Sequence, residues 1–418
     1  MYSVEEWTQY GDELRRPLMI ADNLERATKV CVVGAGLSGL TIAYRIASKR
    51  PDITVEIIEK SNRLGGTIET WSREGWICDV AVNATRPHPA FWRLIRDLGL
   101  ENRFHPSSPL AVNRWIYSKG VKKKLTPLMV LKKGPLKLIK GLRKGRRGKA
   151  SVAEVMPFKL VSDAMTMGIV NDVSANVDAD FLMPSMTRFG PNPPIKWSKV
   201  KKRMNTTYPI FKIKKGATAS LEHGMESLIH RLIERLGECD NVNFSMSVDI
   251  NTPAEMADER KVPLSSIIWC APLSRRPEQY TSLRIFAVGY SEEDTKTVPL
   301  GYGTLIPDSS CPISGILHES DVHQSPRAPE GFRLFRVMCP TSRKGTNEEV
   351  KQSLRRILCD TEPVLFEEIG TRSIPSYPPG YMASLNTADA GITRAGWSYS
   401  GVSITHVVTE AERIADVF

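Results

Sequence analysis

The 418-residue sequence predicts an α/β fold: a doubly wound, Rossmann-type domain interrupted by an inserted mixed α+β region and by a helical, basic segment. Three observations predict it. Residues 29–66 carry a strand, a glycine-rich turn, a helix, a second strand and an acid in that order. Residues 281–340 alternate polar and apolar side chains, as antiparallel strands do. Residues 119–149 hold thirteen Lys and Arg and no acid, with leucines and isoleucines recurring at roughly helical spacing.

In the first unit, Val30–Val33 reads as a short buried parallel strand. Gly34-Ala35-Gly36-Leu37-Ser38-Gly39 is a G-x-G-x-x-G turn, and Leu37–Ser48 has a helical apolar pattern. Val55–Ile58 is the second strand, ending on Glu59. The glycines serve separate purposes: a tight turn at Gly34, close approach of backbone to a pyrophosphate at Gly36, close helix–strand packing at Gly39. The helix start offers free N–H groups and positive dipole to the phosphates. Glu59, twenty residues past Gly39, stands where a carboxylate accepts ribose hydroxyls. A lone G-x-G-x-x-G is often only a flexible turn; this ordered setting makes dinucleotide binding the reading. Val33, Leu40, Lys60 and Thr67, at the edges of the unit, complete the expected cofactor contacts.

The length suits two or three domains, each large enough for its own core. Hydrophobic and charged fractions of 41% and 25% are ordinary for a soluble chain, and the formal net charge is +11. Seven scattered cysteines show no C-x-x-C, which argues for a reducing compartment and against a disulfide framework or zinc site. No apolar run is long enough to span a bilayer. Residues 1–28 read as a polar arm, neither a signal nor a transit peptide. A basic amphipathic stretch like 119–149 suits an anionic membrane surface. A solvated basic loop and a nucleic-acid patch are its other uses, but it lacks stacking aromatics and no nucleic acid is expected as a partner.

Arg63-Leu64-Gly65-Gly66 follows the acid. This R-x-G-G turn resembles the flavin-dependent amine oxidase superfamily, where it lies along the FAD phosphates. The resemblance implies FAD rather than NAD; a solvated turn arginine is the bland alternative for Arg63. Asn113–Tyr117 after Leu98-Gly99-Leu100, Gly301–Pro307, Gly315–Ser320, Ile374–Tyr381 and Ala395–Ile404 resemble, more narrowly, the oxygen-dependent protoporphyrinogen oxidases. That family oxidises protoporphyrinogen IX to protoporphyrin IX with O2 in haem biosynthesis, and its eukaryotic members sit peripherally on the mitochondrial inner membrane. A cytoplasmic location is the alternative.

Residue by residue, the resemblance implies that Arg114 pairs with a substrate propionate, a task suited to guanidinium. Leu305 and Met338 would flank the macrocycle, and Gly168, in a glycine-bearing turn, would touch it through backbone. Each has a plain reading too: a surface strand arginine, core side chains, and methionine-rich core filler. Val248, in a strand expected over Asn243–Ile250, would clamp the adenine ring, or be simply a core valine. Trp397, Val402, Ser403 and Ile404 would lie against the flavin, at the start of a terminal helix over Thr405–Val417 whose dipole favours negative charge on the ring. No catalytic acid, base or metal site is expected.

The expected organisation is an arm (1–28), an FAD domain assembled from 29–100, 217–280 and 385–418, a helical and basic region (101–216) and an antiparallel-sheet region (281–384). Expected partners are a porphyrinogen-like small molecule, O2, an anionic membrane surface and a second copy in a homodimer. Departures from the family pattern stand at Ala81–Ala84, where a G-P-R-G segment is replaced, at His223 in a G-G-M turn, at Trp397 and at Thr405–Val407. They keep open another flavin amine oxidase or desaturase, or a catalytically silent FAD-binding or haem-handling protein.

Overall fold

The computed structural model describes residues 18–86, 88–126, 134–187, 218–272, 280–385 and 391–418. The expected loop over 190–216 and most of the N-terminal arm lie outside them. The chain opens with β1 (Lys29–Val33), α1 (Leu37–Lys49) and β2 (Thr54–Ile58). A hairpin follows, β3 (Thr70–Arg73) and β4 (Trp76–Asp79). The helix expected from Pro87 begins at α2 (Pro89–Asp97), and Gly99 ends its turn at φ +68°. Then come β5 (Phe104–Pro106), β6 (Arg114–Ser118) and β7 (Val121–Lys124).

The helical region holds α3 (Pro135–Gly145) and α4 (Lys159–Val170), with one-turn pieces at Val152–Val155 and Ala179–Leu182. β8 (Ala219–Leu221), α5 (Glu226–Gly237), β9 (Val242–Ser245), α6 (Pro253–Arg260) and β10 (Ile267–Trp269) return the chain to the first unit. The remainder is β11 (Tyr280–Ser291), β12 (Gly303–Leu305), β13 (Gly315–His318), β14 (Phe332–Pro340), α7 (Asn347–Ile357), β15 (Leu365–Pro375), β16 (Thr393–Arg394) and α8 (Ile404–Ala415).

Five strands form a wholly parallel sheet in the order β16-β10-β1-β2-β9. β1 sits at its centre and is buried through Val30–Val33, as a Val-rich strand covered on both faces must be. α1 is apolar nearly all round and correspondingly buried, packed between the sheet and helices α5 and α8. Arg45, inside this layer, is held by Glu412 and Asp97, both at 2.6 Å. The chain runs from β1 to β2 on one side and later reaches β10 on the other. The crevice at the C-terminal ends of β1 and β10 is therefore a topological switch point, where open α/β sheets bind ligands.

The second sheet has seven strands, β15-β11-β14-β13-β12-β6-β7. Here the structure extends the expected sheet and corrects the expected helix over 119–149. The pairs within 281–384 are antiparallel, as expected, and β12 also pairs in parallel with β6 from outside that range, Gly303 opposite Arg114 and Leu305 opposite Ile116. The sheet takes in β6, where a short strand over Asn113–Tyr117 is expected, and adds β7 beside it. Within 119–149, Val121–Lys124 is an edge strand and only Pro135–Gly145 is helix, with 127–133 outside the described residues. A run as short as Val-Lys-Lys-Lys carries no period of its own, and pairing with β6 decided it. Among the described residues no helix is long and apolar enough to cross a membrane.

Candidate functional site: a dinucleotide cradle facing a cationic sheet

The glycine turn at the end of β1 is built for close approach. Gly34 has φ +100° and donates to Ile58 O at 2.8 Å, and a Cβ on it would come within 3.2 Å of Ala271 N. A Cβ on Gly39 would stand 2.0 Å from Gly34 O, so the helix can approach the strand only as glycine. Gly36, by contrast, meets nothing closer than Gly66 Cα at 3.9 Å, leaving space over the N-terminus of α1. That N-terminus has no side-chain cap, so the amides of Leu37, Ser38 and Gly39 are offered outward while Leu40 N already bonds Gly36 O.

Gly65 and Gly66, at φ +108° and +62°, close the cradle from the far side: Gly65 N donates to Ala35 O at 2.7 Å and Gly36 bridges Gly65. This double-glycine cradle, which any Cβ on Gly66 would narrow to 3.0 Å against Gly36 Cα, fits a pyrophosphate. Arg63 holds this turn together. Its guanidinium turns inward, donating to Leu64 O and Ile68 O at 3.3 Å, to Glu226 Oε1 at 3.4 Å and to Gly66 O. It braces the turn expected to lie along the phosphates.

Glu59 ends β2 almost fully buried. Its Oε2 accepts from Ala35 N at 2.8 Å, and its Oε1 from Ser61 N and Oγ at 3.0 and 2.9 Å. A carboxylate offers about four lone-pair sites, so capacity for a ribose hydroxyl remains. Lys60 and Thr67 are exposed at the rim. Val248 lies beyond β9, which stops at Ser245, because Ser247 takes φ +59°. Val248 N then donates to Glu59 O at 3.0 Å, and the side chain packs beside the cluster of Val33, Ile58 and Trp269.

On the opposite wall, Gly396 abuts both Cys270 O and Ser38, which brings Trp397 to the crevice mouth. Tyr377 Oη holds Trp397 O at 3.2 Å. α8 starts one residue earlier than expected, at Ile404, with Val402 leading to Ser403 as its cap accepting from His406 N at 3.2 Å. The variant residue Thr405 ties this helix start to the segment before α2, through Arg86 O and Thr85 Oγ1, both at 3.1 Å. His223, where a glycine was expected, is tolerated because Gly224 takes the positive φ (+93°) instead; its missing Cβ leaves room for Thr70 and Asp79, which accept from Glu226 N and Met225 N.

The substrate-side residues come together on one face of the second sheet. Gly168 is not in a turn but inside α4, where a Cβ would meet Leu305 Cδ2 at 3.0 Å. Leu305 and Met338 both lie over Gly315, in register with it from either side. Arg114 is in register with Gly303, half-buried, its guanidinium 4.3 Å from the Tyr302 ring centroid.

Sequence reasoning missed the buried charge beneath this face. Glu319 sits between Arg336 at 3.1 Å and His323 Nε2 at 2.8 Å, while His323 Nδ1 meets Ser220 Oγ at 2.7 Å. Burial alone would raise the Glu319 carboxyl; Arg336 and the His323 bond outweigh it and hold it down at about 2. Arg327 pairs with Asp79 at 3.5 Å. The Ser–His–Glu chain is wholly buried and clamps β8 to the turn after β13. It exposes no nucleophile. Glu319 and His323 meet at i,i+4, but Ser220 and Arg336 reach them only through tertiary pairing, so local spacing does not signal the cluster.

Residues 32–98 match the NAD(P)-binding Rossmann-like domain family. They form part of a Rossmann-like dinucleotide-binding domain whose sheet β9, β10 and β16 complete.

L-amino acid oxidase Lm29 of Lachesis muta is 35% identical over 116 residues, 26% of this chain and 22% of its own. Coproporphyrinogen III oxidase of Staphylococcus aureus is 34% identical over 73 residues, 17% of this chain and 16% of its own. The chain thus spans under a quarter of the length of these relatives. Whole-chain likeness comes from solved structures. A protein assigned as a protoporphyrinogen oxidase from Exiguobacterium sp. 255-15 superposes at TM-score 0.61 and 15% identity, covering 93% of this chain and 98% of that one. A reduced UDP-galactopyranose mutase superposes at 0.62 and 12%, covering 94% of each. The two-sheet fold is shared with both. Fold alone does not choose between an oxidase and a mutase.

Proposed function

We propose that the protein is an FAD-dependent oxidoreductase of the amine oxidase and protoporphyrinogen oxidase type, acting on a porphyrinogen-like small molecule with O2 as acceptor. One observation carries the substrate reading: Arg114, Leu305 and Met338, far apart in sequence, share one face of the second sheet, and Gly168 of α4 packs over Leu305 there. The cradle of Gly34–Leu40, Gly65 and Gly66, with Glu59 on the ribose side, would hold FAD; Trp397 and Val402–Ile404 would meet its ring. When bound, FAD supplies the hydride acceptor and hands electrons to O2. The chain's own work is binding and exclusion of water. Leu305 and Met338 offer an apolar slot, glycine at 168 lets α4 close over Leu305, and the Arg114 guanidinium receives a carboxylate. No acid or base is assigned.

The basic helix α3 exposes Leu136 at 74% and Ile139 at 46% among its lysines. This supports peripheral attachment to an anionic membrane, in a eukaryotic cell the mitochondrial inner membrane. The test of the activity is anaerobic: the 350–500 nm spectrum of the purified protein is recorded before and after protoporphyrinogen IX is added. Bleaching of flavin absorbance with growth of porphyrin fluorescence is expected, and Arg114→Ala should raise the substrate dissociation constant about 10- to 100-fold. Flavin that stays oxidised rejects this substrate and turns the reading to amines, polyenes or a silent FAD-binding protein; the altered Ala81–Ala84 segment favours the last.

A further inference from the structure

The segment after β4 passes under the inner face of the second sheet, and there one backbone oxygen collects two cations. Ala81 O accepts from Arg336 Nη1 and from Arg372 Nη1, both at 3.1 Å. A carbonyl has lone pairs for both donors, but two guanidiniums side by side repel unless anions compensate them. Arg336 has its anion in Glu319. Arg372 has none: among the described residues its neighbours are Arg336, the Tyr377 ring hydroxyl and the face of Trp397, 5.9 Å from the ring centroid. Its Nε is buried without a hydrogen-bond partner, as is Nδ2 of Asn83, two residues beyond Ala81. Burial first, and Arg336 second, push the Arg372 guanidinium down to about 10. Unlike Arg327, Arg333 and Arg336, each held against a carboxylate, Arg372 has no anion, and a half-buried cation left so is costly.

Its position gives the exception a use. Arg372 is in register with Leu283, and through Ile285 and Met338 it shares the inner face with Leu305 and Arg114. β15 is brought tight against Val80 by Gly370, whose Cβ would stand 3.0 Å from Val80 Cγ1. Trp397 follows Gly396, which lies against the ends of β10 and α1, so Arg372 stands at the crevice mouth while Arg114 stands across the apolar strip of Leu305 and Met338. A planar guanidinium with free donors beside an aromatic face is suited to a carboxylate.

We infer that Arg372 is a second anion-recognising residue of the active site, binding a carboxylate of the substrate at the end nearer the dinucleotide crevice. The inference rests on the oxidoreductase reading and deepens it: the substrate is an acid with an apolar body, and neutral amines are poor ligands.

The test needs no turnover. The FAD-loaded protein is titrated with protoporphyrin IX and with its dimethyl ester, following the porphyrin absorption band, with flavin content and circular dichroism as controls. Arg372→Gln should weaken diacid binding about 10- to 100-fold while leaving the diester unchanged, and Arg372→Lys should recover part of the loss. Equal weakening of both ligands, or no change in either, overturns the inference. If neither porphyrin binds the wild type but benzoate does, and Arg372→Gln abolishes benzoate binding, the anion site stands and the porphyrinogen reading falls. If Arg372→Gln shifts the reduction potential of bound FAD with no carboxylate present and leaves diacid affinity intact, the guanidinium serves the cofactor, and the inference fails.

Discussion

Gly36 and Gly39 stand three residues apart at the start of α1, yet alanine at each should act by a different route. At Gly39 an added Cβ would lie 2.0 Å from Gly34 O and 3.2 Å from Val32 Cγ1. The first distance is roughly 1.5 Å inside ordinary van der Waals contact. Its partner is backbone, so no rotamer change relieves it; α1 must retreat from β1. α1 is packed on α5 and α8 and held by the Arg45–Glu412 pair, so the retreat disturbs the core of the parallel sheet. Overpacking of this kind costs about 1–3 kcal/mol. At Gly36 the nearest atom would be Gly66 Cα at 3.9 Å, and φ is −76°, so alanine fits the apo fold. Its methyl would instead occupy the space between the two glycine turns, where the pyrophosphate belongs. Urea unfolding of apo-protein, set beside flavin stoichiometry, separates the two: Gly39→Ala loses stability with and without FAD, and Gly36→Ala loses FAD at unchanged apo stability. A Gly39→Ala variant with wild-type unfolding midpoint and full flavin would refute the packing argument. A Gly36→Ala variant saturated with FAD would refute the cradle.

The other predictions concern the second sheet and α3. Gly168→Ala places its Cβ 3.0 Å from the end of the flexible Leu305 side chain; the protein should fold normally while KM rises as Leu305 is pushed into the slot, which steady-state kinetics would show. Glu319→Gln leaves Arg336 buried without its anion and should cost about 3–5 kcal/mol in denaturant unfolding. Because the folded Glu319 pKa is depressed to about 2 from 4.5, its stabilising contribution is present above about 4.5 and is lost as pH falls toward 2. The acid limb of the wild-type stability profile should therefore flatten in Glu319→Gln. Finally, sedimentation with phosphatidylserine-containing vesicles should retain the wild type at low salt and release Lys137→Glu/Lys140→Glu; equal binding to neutral vesicles would count against the electrostatic reading.

The sequence by itself determined the dinucleotide unit, because its signals are local. Gly34, Gly36 and Gly39 answer to backbone geometry within one turn, Val30–Val33 and Val55–Ile58 to β-branched burial, and Glu59 to fixed spacing; each lies where expected. The strands between 281 and 340 were legible as strands, because alternation survives without knowledge of partners. Tertiary structure decided what those elements pair with and where side chains point. It made Val121–Lys124 an edge strand by offering β6 to pair with, kept Gly168 in helix by packing α4 on Leu305, and ended β9 at Ser245 where Ser247 turns to positive φ. It turned Arg63 inward, since Leu64, Ile68 and Gly66 present carbonyls within its reach. Above all it decided the charge beneath the sheet. Asp79, Glu319, Arg327, Arg336 and Arg372 come from separate segments, and nothing in their spacing foretells that four find partners while Arg372 faces Trp397 without an anion. Local geometry is written in neighbouring residues; electrostatic balance in a core is settled only when distant strands meet.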